Sequence, residues 1–120
     1  MQYLGSGRSG SLAWLGQRVT GVALVLILGV HFIILHYSGS GPISYDTVAP
    51  RLADPYYKAF QLLFLCLALY HALNGLKLVI DDYIKRDGLR LLVTGGLWVL
   101  CLGFFLFGAV TILTFTYQPG

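Results

Sequence analysis

Three apolar runs, from about Leu12 to Tyr37, from about Tyr56 to Ile80 and from Leu89 to about Tyr117, leave this chain few ways to fold. Each exceeds the ~20 residues that carry a helix across a hydrocarbon layer. A backbone segment in such a layer must satisfy its own hydrogen bonds, so the runs are read as transmembrane α-helices. Composition agrees: of 120 residues, 57% are hydrophobic and 11% charged, whereas about 25% are charged in a soluble domain. There is no Glu, and the five acids, Asp46, Asp54, Asp81, Asp82 and Asp87, all lie outside the runs. The expected fold class is an all-α membrane protein, with three transmembrane helices packed against a partner chain. Three helices without a soluble domain leave little room for a complete enzyme.

The segments between the runs have other compositions. Residues 1–11 are rich in Gly and Ser and read as an N-terminal arm, flexible or ordered by a partner. They are too polar, and the run after them too long, for a cleavable signal peptide. Residues 38–55 collect Gly39, Gly41, Pro42, Pro50 and Pro55, the composition of a loop outside the hydrocarbon, with room for a short helix. The anchor region proper is residues 12–120, and the link 81–88 carries Lys85 and Arg86. Arg8, Arg18, Lys85, Arg86 and Arg90 fall on one side, against Arg51 and Lys58 on the other. The positive-inside rule then makes the N-terminus cytoplasmic, or matrix-facing in a mitochondrion. The net charge of +3 comes from scattered cations with no aromatic or glycine pattern of a nucleic-acid surface.

Within the apolar runs, ionisable groups stand out. His71 lies in Tyr70-His71-Ala72-Leu73-Asn74-Gly75-Leu76, and an imidazole at that depth needs a compensating partner. Ligation of haem iron, a hydrogen bond to a neighbouring helix, and a proton relay are all open readings. Gly75, one turn on, would leave a slot beside the imidazole for a porphyrin edge. Asp82, eleven residues further, lies ~16 Å away along the axis on the same helical face. His31 is also well inside the first run, whereas His36, rotated ~140° from it, suits an interfacial histidine. Arg18 can snorkel to lipid phosphates, neutralise propionates or hydrogen-bond a quinone carbonyl. Asp82 and Tyr83 can supply a proton and a phenolic hydrogen bond at the membrane surface, or simply end a helix in water. Cys66 and Cys101 have no metal or haem-attachment spacing and read as packing residues. Gly96 and Gly103 share a face on which a neighbouring helix is expected to pack closely.

These residues resemble the D-type membrane anchors of succinate dehydrogenase and fumarate reductase. The resemblance is carried by Gln17-Arg18-Val19-Thr20-Gly21-Val22 opening the first run, by Tyr70 to Leu76, and by Ile80-Asp81-Asp82-Tyr83 closing the second; it covers roughly residues 11–90. It implies a complex in which a flavoprotein subunit oxidises succinate, an iron–sulfur subunit carries the electrons, and two anchor subunits bind haem b and reduce quinone. His71 then matches the axial haem ligand, and Tyr83 and Asp82 match the quinone-site tyrosine and acid; the quinone is expected near Arg18, Asp82 and Tyr83, and Arg18 and Gly75 join the histidines as candidate cofactor-binding residues. His31 resembles the first-helix histidine of two-haem anchors, so one haem b or two are implied, each with its second ligand from the partner anchor. An integral protein of a bacterial or archaeal plasma membrane is implied before a mitochondrial one. The competing class is a small non-redox membrane protein, a transporter unit or assembly factor, in which His31 and His71 form a proton or cation path.

Overall fold

A computed structural model describes residues 7–37 and 41–120. Residues 1–6 of the expected arm and 38–40 of the expected loop lie outside the described residues. Four helices follow in order: α1 (Gly7–Tyr37), α2 (Tyr45–Ala53), α3 (Pro55–Tyr83) and α4 (Asp87–Thr114). Three of them, α1, α3 and α4, are long and apolar enough to cross a membrane, as the three runs require. The lengths differ at the ends. Residues 7–11 are helical rather than part of an arm, because extending an existing helix adds one hydrogen bond for each residue fixed. Residues 115–117 leave the helix, with Phe115 already extended.

Local chemistry places these ends. Gly41, at φ +135°, turns the chain in a conformation that residues with a Cβ rarely adopt, and Pro42 follows it. The short helix α2 is closed at its start by Ser44, whose N–H donates to Thr47 Oγ1 at 3.0 Å. Asp54 then ends α2 and caps α3: its carboxylate accepts the Tyr57 N–H at 2.9 Å, and Pro55 fills the first helical position. At the other end of α3 only residues 84–86 separate it from α4. All three aspartates of the expected 81–88 link are therefore helical, Asp81 and Asp82 in α3 and Asp87 in α4, with Asp81 facing Arg90 at 4.0 Å.

Two cations close the carboxyl ends of the outer helices. Arg51 of α2 donates to the Ile34 carbonyl at 3.0 Å, and Lys58 of α3 donates to the Phe115 carbonyl at 2.8 Å. Each satisfies an orphan carbonyl and opposes the negative end of a helix dipole.

The helix α3 lies between α1 and α4 and packs on both. Almost nothing is buried: among the described residues only Ala49 and Thr20 are. Without water to exclude, the spans gain little from burying apolar side chains and pack instead through small residues. At Gly108 a Cβ would stand 2.8 Å from Leu65 Cδ2, so this glycine admits α3 onto α4. Gly96 and Gly103 have open space where a Cβ would be. The close packing expected on their face is not made among the described residues.

Candidate functional site at the seam between α1 and α3

Most of the polar contacts between α1 and α3 gather in one place. Gly16, Gln17, Thr20 and Gly21 follow the i, i+3, i+4 spacing of one helix face, as do Tyr70, His71, Asn74 and Gly75. The antiparallel packing of α1 and α3 sets these two faces against each other. Gly16 clears the Tyr70 hydroxyl, which approaches closer than a Cβ would allow. Gly21 clears the imidazole: a Cβ there would be 3.3 Å from His71 Cε1. Gly75, expected to leave a slot beside that imidazole, instead admits the Gln17 amide, whose nitrogen lies 2.8 Å from where a Cβ would be. At this level α1 carries a long polar side chain, Gln17, that fills the space.

Counting protons along the seam assigns the histidine. Thr20 Oγ1 donates to the Gly16 carbonyl at 2.6 Å, which spends its only proton. Its 3.0 Å contact with His71 Nδ1 must then be one in which Thr20 accepts and Nδ1–H donates. A neutral imidazole protonated on Nδ1 carries its lone pair on Nε2. That nitrogen faces the Gln17 amide nitrogen at 3.3 Å, which donates to it. The Gln17 carbonyl oxygen in turn accepts from Asn74 Nδ2 at 2.9 Å, and the same Asn74 amide reaches the Ala13 carbonyl at 2.9 Å. Every link has one donor and one acceptor.

The other expected site residues lie at different levels. Arg18 stands level with His71, since Gln17 and Thr20 bracket it, but is exposed and lies over Trp14, 3.7 Å from the ring centroid. Asp82 and Tyr83 lie ~16 and ~18 Å from His71 along α3 at 1.5 Å per residue. Both are exposed at the end of that helix. The structure thus brings Arg18 to the level of His71 and does not bring it to Asp82 and Tyr83.

His31 sits in the same seam ~16 Å towards α2, eleven residues along α1 from Thr20. Its ring packs against Phe60 and Phe64, at 6.4 and 5.6 Å between centroids, and its Nδ1 is 3.5 Å from the Tyr57 hydroxyl. The two histidines cannot share one metal. His36 bonds the Phe32 carbonyl of its own helix at 2.9 Å, in keeping with an outward-facing position. Cys66 and Cys101 line an open, apolar groove of about 580 Å³ between α3 and α4, with Tyr70 and Trp98.

Among the described residues no three His, Cys, Asp or Glu side chains come together as a metal cluster. The porphyrin iron that the resemblance implies brings most of its own ligands and would ask one imidazole of this chain. The donor set fits it: one neutral imidazole with its lone pair on Nε2 and its other nitrogen already held. The Gln17 amide nitrogen, 3.3 Å away, stands in front of that lone pair.

Fold and seam together define a class: a three-span membrane subunit whose polar groups are gathered on one internal helix pair. The family model described as succinate dehydrogenase/fumarate reductase transmembrane subunit matches residues 2–110, and the chain belongs to that family. It is 37% identical over 71 residues to the succinate dehydrogenase hydrophobic membrane anchor subunit of Archaeoglobus fulgidus, covering 59% of this chain and 61% of that one. To the protein of the same name from Thermoplasma acidophilum it is 36% identical over 74 residues, 61% of this chain and 60% of that one. To that of Rickettsia conorii it is 35% identical over 88 residues, 72% and 68%. The match thus spans about three fifths of the length of the first two relatives.

Proposed function

We propose that this chain is a haem b-binding membrane anchor of a succinate:quinone oxidoreductase, not catalytic alone, that helps pass electrons from an iron–sulfur subunit to quinone. The observation that carries this reading is the pair of contacts at His71, where Nδ1 faces a Thr20 hydroxyl whose proton goes to Gly16, so that Nε2, facing the Gln17 amide, is the ring's lone-pair nitrogen within an apolar span. His71 is the axial ligand supplied by this chain. His71 would hold the haem b, which would supply a one-electron centre for transfer to quinone. Arg18, at the same level, offers a guanidinium to acidic groups of the ligand. His31, in its aromatic setting, is the ligand for a second haem b.

At the other end of α3, Asp82 and Tyr83 serve the quinone. Arg90 lies beside Asp81 and Asp87, so Asp82 is the neighbouring acid with no ion-pair partner among the described residues. It is placed to deliver a proton, and the exposed Tyr83 hydroxyl to donate a hydrogen bond to a quinone carbonyl. The partners on this reading are a second anchor chain, the iron–sulfur subunit and the flavoprotein subunit. The N-terminal side of the membrane, where the exposed Lys85 and Arg86 lie, is then the cytoplasmic side.

A proton path through the two histidines has less support. They are ~15 Å apart along the seam, and among the described residues no hydrogen bond bridges the interval. Spectra of the isolated complex test the proposal: a b-type α band in the reduced-minus-oxidised difference supports it, and an isolated complex active with succinate but lacking that band contradicts it.

A further inference from the structure

Thr20 is the only buried polar residue among the described residues, and its hydroxyl, which also lies 3.3 Å from the Gln17 carbonyl, makes two shorter contacts that constrain each other. The oxygen gives its proton to Gly16 O at 2.6 Å and faces His71 Nδ1 at 3.0 Å. A hydroxyl committed in this way can only accept from the imidazole. We propose that Thr20 is the positioning residue for His71 as a metal ligand: it fixes the ring's protonation and orientation and raises the electron density on Nε2. The inference rests on the haem-binding reading above and adds to it which side chain of this chain sets the ligand's strength.

The physical argument has two parts. First, the ring can present Nε2 as a lone pair only while Nδ1 holds the proton, and Thr20 supplies the acceptor that favours that form. Gly21 leaves the ring just enough room to sit there. Second, a hydrogen bond donated by the distal nitrogen makes an imidazole a more basic ligand, which stabilises the higher oxidation state of the metal. Removing the acceptor should weaken the ligand and make the ferric state easier to reduce. Gln17 plays the opposite part, since its amide occupies Nε2 and must swing aside before any metal can.

The test uses the assembled complex carrying wild-type chain, Thr20→Val, Thr20→Cys or Thr20→Ser. Haem per complex is measured by pyridine haemochromogen assay, and the midpoint potential by following the α band during redox titration. Thr20→Val, close in volume but unable to accept, should shift the potential to more positive values. Thr20→Cys, a weaker acceptor, should shift it in the same direction, and it reads the effect even if the valine variant fails to assemble. Thr20→Ser should restore the wild-type value. Loaded valine or cysteine complexes with the wild-type potential overturn the role of Thr20 and leave the haem reading standing. A wild-type complex without haem overturns both.

Discussion

Thr20 and His71 are joined by a 3.0 Å hydrogen bond whose direction is settled by the proton Thr20 gives to Gly16. The single link decides which imidazole nitrogen is free, and it couples the packing of α1 on α3 to whatever His71 binds.

Gly21 and Gly75 are expected to behave differently although both lie at the seam. A methyl group at Gly21 would press on the imidazole at 3.3 Å. Gly21→Ala should therefore lower haem content modestly, less than twofold, and Gly21→Val should remove most of it. At Gly75 the added carbon meets only the end of a flexible glutamine, so Gly75→Ala should retain haem. Pyridine haemochromogen assays on the three complexes give the comparison, and haem loss in Gly75→Ala with retention in Gly21→Val would reverse the assignment of the two glycines.

Asn74 links Gln17 to the Ala13 carbonyl and binds nothing else among the described residues. Asn74→Leu should weaken the α1–α3 pair by about 1 kcal/mol for each interhelical hydrogen bond lost. Denaturation of the reconstituted wild-type and variant proteins in a detergent series measures it. An unchanged midpoint would mean that the amide contributes nothing net to the packing.

His31→Phe keeps the stacking with Phe60 and Phe64 but removes the ligand nitrogens. With a second haem at His31, the substitution halves the haem content and leaves the band of the first intact. If content stays at the wild-type value, His31 is a packing residue held by aromatic neighbours and the Tyr57 hydroxyl.

Tyr83→Phe and Asp82→Asn alter groups ~16 Å or more from the imidazole. Each should spare haem content while lowering succinate:quinone reductase activity by roughly tenfold to a hundredfold. Succinate oxidation with a soluble electron acceptor should be unaffected in both. Loss of haem in either variant would place these residues in the haem site instead.

Much of the fold is legible from where charge is missing. The three runs, free of acids and with few cations, give the spans, because a charged side chain deep in hydrocarbon is costly. The ends are less legible: Gly7 to Ser11 looks like coil by composition, yet continues α1. His71, Arg18, Asp82 and Tyr83 stand out as individual residues because each is rare in its surroundings. What pairs with what is harder to read, since it depends on the register of two helices separated by more than fifty residues. That register puts Gln17 in the space assigned to a porphyrin edge and leaves Arg18 exposed over Trp14. The roles of Thr20 and Asn74 leave a faint trace in the sequence, in two i, i+3, i+4 sets that each combine a glycine with an amide or hydroxyl. Only the facing of those sets shows that they form one network.

The most direct test of the account is the dithionite-reduced minus oxidised spectrum of the assembled complex carrying wild-type chain or His71→Ala. A b-type α band in the wild type that is abolished or substantially reduced in His71→Ala, with the complex still assembled, is the predicted result. A band of equal height in both would show that His71 is not the ligand and that its hydrogen bonds to Thr20 and Gln17 serve helix packing alone.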